Sequence, residues 1–336
     1  MSEIITLAHG SGGKLTHQLI RGIFQKRFRN DWLLEGGDSA VLEALPGQMA
    51  FTTDSYVIHP LFFRGGNIGK LAVCGTVNDL AVCGAIPRYI SCGWIIEEGF
   101  PIEELEKIAE SMASAAQEAG VFIVTGDTKI VPRGCADKLF LNTSGVGFIP
   151  EGLRLSPTLI RPGDRVIVSG TIGDHGTAIL IEREQLQVET GLVSDCAPLN
   201  GMLELVTASV GGAVRLMRDP TRGGVATTLN EFTEGQGFGI RLEEHALPVK
   251  GEVSGLCGML GMDPLYIANE GKAILVVDGA QADRVLELLR SHPYGQDAAV
   301  IGEVVVDHPG KVYMRTLAGG HRIVDMLVGD QLPRIC

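Results

Sequence analysis

The sequence predicts a two-domain α/β protein, and three observations support this prediction. The chain has 336 residues, which exceeds the size at which a single hydrophobic core stops growing. Apolar runs that end in polar or glycine-containing turns alternate with segments whose apolar residues recur at helical spacing. A proline-containing stretch at 150–164 separates two halves that both show this alternation. We therefore expect domains at 1–150 and 151–329, followed by a mobile tail at 330–336.

The elements of the first half follow in order. Asn67 is a candidate N-cap for a helix over 67–85, because asparagine side chains accept hydrogen bonds from the first helical amides. A second helix is predicted at 101–120, with proline at its start, acidic residues in its first turn and glycine at its end. Apolar runs bounded by polar residues predict strands at 47–57, 88–96, 121–128 and 138–149.

The second half repeats the pattern with different lengths. Helical spacing predicts helices at 199–217, 225–234 and 281–291, and apolar runs predict strands at 164–170, 238–244, 272–279 and 298–305. The first of these strands is followed by GTIGDHG (170–176), a glycine-rich acidic turn. Its glycines are spaced GxxGxxG, so the dinucleotide-binding fingerprint GxGxxG is absent and a nicotinamide enzyme is disfavoured.

Charge and hydropathy exclude several classes of protein. With 28 basic and 40 acidic residues, the formal net charge is −12, which disfavours non-specific binding to nucleic acid and to anionic membranes. No run approaches the roughly 20 apolar residues that span a bilayer. The first residues lack the basic and apolar regions of a signal peptide, so we expect a cytoplasmic protein.

The cysteines do not predict a disulfide framework or a structural zinc site. There are seven, an odd number, and no two are spaced CxxC. Cys74, Cys83 and Cys92 lie in apolar predicted elements, where we expect buried, inert thiols. Cys336 differs because it is the last residue, where a thiol is either an incidental terminal group or a carrier that moves between sites.

Four aspartates stand beside small residues at the ends of apolar runs: Asp38, Asp54, Asp79 and Asp127. Each one taken alone is compatible with a turn or a helix cap. Four such carboxylates in one half favour a site for Mg²⁺ and phosphate, because carboxylates repel polyphosphate unless a cation bridges them.

A glycine-rich stretch with one cation, HGSGGK (9–14), lies near the start of the chain. Its backbone amides at Gly12 and Gly13, together with Lys14, could cradle phosphate, and a flexible turn is the alternative. It is not a Walker A loop, because Ala8 stands at the position of the first glycine and Leu15 at that of Ser or Thr.

Taken together, these segments resemble a known family. SGGK, GGDSA, TTDSYV, VNDLAVCGAIP, TGDTK, RDPTRGG, ANEG and the terminal PRIC occur in this order in the HypE family of hydrogenase maturation proteins. The aspartate motifs are shared with the wider aminoimidazole ribonucleotide synthetase-like (PurM-like) superfamily. The resemblance implies a homodimer whose N-terminal strands form a shared barrel and a mixed α/β C-terminal domain. It also implies ATP between the domains, with Mg²⁺ held by Asp38, Asp54, Asp79 and Asp127.

The resemblance also implies a reaction. Members of this family receive a carbamoyl group on the C-terminal cysteine, here Cys336, from the carbamoyltransferase HypF. They use ATP to dehydrate it to S-cyanide, which a HypC–HypD complex receives for the iron of [NiFe]-hydrogenase. Glu270 in NEG corresponds to a base at the amide nitrogen. Lys129 in DTK corresponds to a group that assists proton transfer or holds phosphate charge.

Two other functions are also compatible with these residues. A different PurM-like enzyme would make selenophosphate or activate an amide in purine synthesis. Selenophosphate enzymes carry a reactive cysteine or selenocysteine in the N-terminal glycine-rich loop, where this chain has Ser11 and no nearby cysteine. A non-catalytic thiol carrier or metal chaperone is the third possibility, and the acidic motifs argue against it because a carrier needs no nucleotide site.

Overall fold

The computed structural model describes residues 4–35, 37, 39–327 and 329. This part of the chain contains a four-stranded sheet in the first half, a seven-stranded sheet in the second and a small two-stranded ladder. Asp38 and Cys336, to which the sequence assigns a metal-binding and a carrier role, lie outside the described residues.

The first half forms a four-stranded sheet with two long helices on one face. Its strands have the order β1–β6–β4–β5; β4 and β5 are parallel and the other neighbours are antiparallel. The helices of this half are α1 (Lys14–Leu19), α2 (Asp31–Glu35), α3 (Ile68–Val82) and α4 (Ile102–Ala119). Its strands are β1 (Gln48–Tyr56), β2 (Phe62–Phe63), β3 (Gly66–Asn67), β4 (Ile86–Glu97), β5 (Phe122–Val131) and β6 (Leu139–Ile149).

Helix α3 lies at the centre of the molecule. The side chain of Asn67 caps it as predicted, with Oδ1 accepting hydrogen bonds from the amides of Gly69 at 2.9 Å and Lys70 at 3.2 Å. Most of its residues are buried, because the helix packs on the first sheet, on α4 and on the second domain. A Cβ at Gly69 would lie 2.4 Å from the Ile108 carbonyl oxygen, so only glycine permits this approach to α4.

The second half forms a mostly antiparallel sheet of order β13–β12–β9–β11–β7–β10–β8, in which the β9–β12 pair is parallel. Its helices are α5 (Asp174–Arg183), α6 (Asn200–Val210), α7 (Gly224–Thr233), α8 (Gly251–Leu260) and α9 (Ala282–Arg290). Its strands are β7 (Arg165–Val168), β8 (Val214–Arg218), β9 (Gly239–Glu243), β10 (Ile274–Val277), β11 (Ala299–Val305), β12 (Val312–Arg315) and β13 (His321–Val324). Apolar side chains from both faces of this sheet are buried, as expected for a sheet covered by helices.

One helix prediction was wrong over part of its length. The predicted helix at 199–217 ends at Val210, and the chain continues through a 3-10 turn into β8. Gly211 has a φ of 50°, and the Gly211–Gly212 pair interrupts the helical apolar spacing. The residues of β8 instead pair with β10, where Leu216 lies opposite Val276. Helices α1, α2 and α8 and strands β12 and β13 are further elements that the sequence did not predict.

The prediction that Cys74, Cys83 and Cys92 are buried is confirmed for two of these three cysteines. Cys74 and Cys92 are buried, whereas Cys83, at the C-terminal cap of α3, is exposed. In the described residues no helix is both long enough and apolar enough to cross a lipid bilayer.

Candidate active site

Two predicted carboxylates meet where β1 passes the C-terminal half of α3. Thr52, Asp54 and Tyr56 alternate along β1 and point toward α3, because every second residue of a strand faces the same side. The Thr52 hydroxyl donates a 2.9 Å hydrogen bond to Asp79 Oδ2 on α3, and Arg222 Nη2 lies 4.0 Å from Asp54 Oδ1. The structure therefore brings Asp54 and Asp79 to one place.

A third carboxylate, Asp219, joins them from the end of β8. Burial, followed by repulsion from Asp79, raises the pKa of Asp219 to about 7. Burial also raises the pKa of Asp79; the Thr52 hydrogen bond opposes this rise and the nearby Asp54 adds to it. Arg218 and Arg222 favour the charged form of Asp79 but do not outweigh these effects. The site thus concentrates negative charge that a cation would relieve.

The carboxylates of Asp54 and Asp79 suit a Mg²⁺ ion that is also bound by phosphate and water. No three His, Cys, Asp or Glu side chains among the described residues are arranged so that they could hold a metal ion by themselves. Mg²⁺ is commonly held by one or two carboxylates together with substrate phosphates and water. Asp54 and Asp79 match this requirement, with Asp219 beside them.

Glu270 is buried beside this carboxylate cluster. It is 4 % exposed, and burial raises its pKa well above the usual value, with further rises from Cys196, Asp219 and other nearby acids. A carboxyl group in such a place is a stronger base than a solvated one once it has lost its proton.

The segment that carries Glu270 is packed against a loop around Asp195. The Glu270 amide donates a 3.1 Å hydrogen bond to Asp195 Oδ1, and Lys272 Nζ lies 3.1 Å from Asp195 Oδ2. A Cβ at Gly271 would lie 1.8 Å from the Asp195 carbonyl oxygen, so the two backbones meet with no room for a side chain. Glu270 is therefore held on a rigid, buried segment.

Asp127 and Lys129 lie elsewhere on the same sheet. Asp54 on β1 is opposite Thr143 on β6, and Thr143 is opposite Cys92 on β4, whereas Asp127 on β5 is opposite Gly93. Three strand-to-strand spacings thus separate the Asp54 and Asp127 positions, about 14 Å in all. Cys92 points into the core, so Gly93 and Asp127 point to the outer face, away from α3. Within one chain, Asp127 and Asp54 do not share an ion.

The glycine-rich stretch adjoins Asp127 and Lys129. Gly12, with a φ of 79°, and Thr16 line a cavity of about 280 Å³ together with Asp127 and Lys129. Phe24 and Trp94 add apolar walls. Gly13 is the N-cap residue of α1, and Lys14 is its exposed first residue. We use the term outer half-site for Gly12, Asp127 and Lys129, and inner half-site for Asp54, Asp79, Asp219 and Glu270.

Asp219 and several residues that surround the inner half-site were not predicted. Asp219 and Arg222 belong to RDPTRGG, a motif that carried the resemblance without any residue being assigned a role. Asp195 and Asn78 contact the Glu270 backbone from positions that are distant in the chain. RDPTRGG itself was a usable signal for Asp219, because a charged pair flanks its proline–threonine turn. Nothing local in the sequence indicates Asp195.

Fold and site together define the class of protein. The protein-family model for the N-terminal domain of AIR synthase related proteins matches residues 36–149, and the family model for their C-terminal domain matches residues 161–315. The chain is 54 % identical over 332 residues to a carbamoyl dehydratase HypE from Rhizobium leguminosarum bv. viciae, with 99 % of this chain and 95 % of the relative covered.

Solved structures agree with this classification. The structure of hydrogenase maturation protein HypE in complex with ATP has a TM-score of 0.93 and 47 % identity, covering 98 % of this chain and 99 % of that one. A chain in a HypE–HypF complex has a TM-score of 0.81 and 49 % identity, covering 92 % and 99 %. The chain belongs to the HypE family of carbamoyl dehydratases, which confirms the family and the two-domain fold class that the sequence motifs indicated.

Proposed function

We propose that this chain uses ATP to dehydrate an S-carbamoyl group on Cys336 to S-cyanide, which supplies the cyanide ligand of the [NiFe]-hydrogenase iron. The observation that carries the proposal is Glu270, a buried carboxyl beside Asp54, Asp79 and Asp219 in a chain of the carbamoyl dehydratase family. A relative with 47 % identity has been solved with ATP, which supports ATP as the co-substrate here.

The chemistry explains why both a phosphate site and a base are needed. The oxygen of a thiocarbamate is a poor leaving group, and transfer of the ATP γ-phosphoryl group to it makes a good one. Loss of phosphate breaks the C–O bond, while the two nitrogen protons depart and the C≡N bond forms. Glu270 accepts one nitrogen proton, the leaving phosphate carries away the other, and the products are thiocyanate, ADP and phosphate.

Two groups of side chains would neutralise the phosphate charge: aspartates that hold Mg²⁺, and arginines that are positively charged themselves. Asp54 and Asp79 would hold Mg²⁺, with Asp219 beside them, and Mg²⁺ when bound supplies the charge neutralisation that ATP requires. Asp38 remains a proposed ligand that lies outside the described residues. Arg218 and Arg222, which already act on the Asp79 carboxyl, supply further positive charge where phosphate arrives.

The outer half-site requires a second copy of the chain. Asp127 and Lys129 face away from Glu270, so they serve the same reaction only if a homodimer places one copy's outer half-site against the other copy's inner half-site. The exposed apolar residues of this sheet support such an interface: Met49, Phe51, Ile95 and Phe122 are between 41 % and 67 % exposed. Lys129 would then hold phosphate charge or assist proton transfer across the dimer.

Mixing two inactive variants tests this arrangement. Glu270→Gln and Lys129→Ala each damage one half-site, and a mixed dimer contains one intact composite site. Co-refolded in equal amounts, they should regain about a quarter of the wild-type rate, because half of the dimers are mixed and each has one working site. Activity that stays at the level of the separate variants would show that Lys129 and Glu270 do not combine across two copies.

The partners follow the family. We propose HypF as carbamoyl donor, supported by the solved HypE–HypF complex, and a HypC–HypD complex as cyanide acceptor. Both encounters require the thiol of Cys336 to leave the site.

Intact-protein mass spectrometry tests the function directly. Wild type incubated with the carbamoyl donor system should gain one carbamoyl group, then lose one water after ATP is added. Cys336→Ala should bind ATP and show neither change. The other six cysteines serve as internal controls. A wild-type chain that carries the carbamoyl group but never loses water with ATP would overturn the proposed function.

A further inference from the structure

We propose that Asn78 is a positioning residue that sets the Glu270 carboxyl against the carboxylates of the inner half-site. This inference rests on the proposed function for its catalytic consequence, but the placement itself can be tested without the reaction. Asn78 lies on α3 of the first domain, and Glu270 lies on a loop of the second domain.

The Asn78 side chain is bonded at three points to the second domain. Nδ2 donates to the carbonyl oxygens of Glu270 at 3.1 Å and Ala197 at 3.0 Å, and Oδ1 accepts from the amide of Leu199 at 2.8 Å. Asn78 is 1 % exposed, so water cannot replace these bonds without a rearrangement. One side chain thus ties together two loops that lie more than 70 residues apart in the chain.

The Glu270 residue is held from both sides of its backbone. Its carbonyl oxygen accepts from Asn78, and its amide donates to Asp195 Oδ1 at 3.1 Å. The preceding residue, Asn269, donates to the Pro220 carbonyl oxygen at 3.0 Å and accepts from the Gly173 amide at 2.7 Å through its side chain. Asn269 therefore joins the Glu270 loop to the segment of Asp219, and Asn78 joins it to the helix of Asp79.

Helix α3 links the position of Asp79 to the position of Glu270 through Asn78. Asn78 and Asp79 are neighbours on one rigid helix: Asp79 faces the carboxylate cluster, and Asn78 faces the Glu270 loop. The same helix therefore determines where the phosphate-binding carboxylate stands and where the base stands. Displacement of a catalytic group by about 1 Å can lower a rate about 100-fold, so a lost tether affects turnover more than binding.

Amide hydrogen exchange tests the placement alone. In Asn78→Ala, the Leu199 amide should lose protection because its acceptor is gone, and the Glu270 amide should lose protection because its loop moves away from Asp195. Asn30→Ala is the matched control, since Asn30 also donates to two backbone carbonyls, at 2.8 and 2.9 Å, and accepts from one amide at 3.0 Å. It should leave both amides protected. Retained protection of Glu270 in Asn78→Ala would overturn the proposal, whatever reaction the chain performs.

Kinetics then separate positioning from general destabilisation. Asn78→Ala and the isosteric Asn78→Asp should leave the KM for ATP within about twofold and lower the rate of water loss about 10- to 100-fold per folded chain. Combined with Glu270→Gln, Asn78→Ala should cause little further loss, because the base that it places is already absent. If the rate losses of Asn78→Ala and Glu270→Gln multiply fully in the double variant, Asn78 has a structural role only. The same conclusion follows if Asn78→Ala slows water loss no more than Asn30→Ala does. A wild-type chain without water loss refutes the proposed function, and the exchange measurement still decides the placement.

Discussion

The inner and outer half-sites share the first sheet through Asp54 on β1 and Asp127 on β5, yet they differ in burial and charge balance. In the inner half-site, burial and mutual repulsion raise the pKa of Asp79 and of Asp219. In the outer half-site, Asp127 is 67 % exposed and its Oδ2 lies 3.2 Å from Lys129 Nζ. The comparison shows that two aspartates on one sheet acquire different neighbours according to the face on which they lie: Asp54 joins the buried carboxylates of the inner half-site, and Asp127 lies among exposed groups.

The largest effect should come from the base of the inner half-site. Glu270→Gln keeps the size of the side chain and removes its basicity, so water loss should slow by about 10²- to 10⁴-fold. Carbamoylation of Cys336 should continue, because it does not require this base, and the carbamoylated chain should accumulate. Intact-mass measurement follows both steps. Glu103→Gln, on an exposed helix face, is the control, and a Glu270→Gln chain that converts normally would remove Glu270 from the mechanism.

Mg-ATP affinity should distinguish the half-sites. Asp79→Asn should weaken binding about tenfold or more at every protein concentration, because Asp79 belongs to the inner half-site of its own chain. Asp127→Asn should weaken binding only at concentrations where wild type is a dimer, because its carboxylate then serves the other copy. Calorimetric titration of both variants at high and low protein concentration measures this. Unchanged affinity for Asp79→Asn would exclude it as a ligand, and equal losses for Asp127→Asn at both concentrations would contradict the composite site.

The pH dependence of the free energy of unfolding should also distinguish the inner half-site from the outer one. The folded-state pKa of Asp219 is about 7, above its ordinary value of 3.8, so the folded chain binds the proton more tightly than the unfolded chain. Stability from this group is present below pH 4 and declines as the pH rises through 7. Without Mg²⁺, Asp219→Asn should therefore be more stable than wild type by about 1–3 kcal/mol at pH 8, after allowance for its partial exposure.

Below pH 4, wild type and Asp219→Asn should have nearly equal stability. Chemical unfolding at both pH values provides the measurement. A difference independent of pH would mean that Asp219 is not held protonated by its surroundings.

The smallest effect should be the stability change at the outer half-site. Asp127 and Lys129 are both about two-thirds exposed, and exposed ion pairs contribute about 0–1 kcal/mol. Asp127→Asn should thus unfold at nearly the wild-type denaturant concentration when the chain is monomeric. A larger loss in the monomer would mean that the outer half-site contributes to the fold of its own chain.

Local signals account for much of the fold. The second long helix was predicted at 101–120 and spans Ile102–Ala119, because Pro101, the acidic first turn and Gly120 define its ends through backbone geometry alone. The helix predicted at 199–217 was wrong beyond Val210, because Val214–Arg218 has apolar residues that suit either period and pairing with β10 decides in favour of a strand.

The sequence by itself determined the motifs, the two α/β halves and the family, because these depend on residue identity and on spacing along the chain. It could not determine which motifs meet. Asp54 and Asp79 converge through one strand–helix contact, whereas Asp127 is turned to the opposite face by strand order and alternation. The connection of Asn78 to Glu270, across 192 positions, exists only because two domains pack together. Burial and charge crowding then raise the pKa of Glu270, and both belong to the packed structure rather than to the residue.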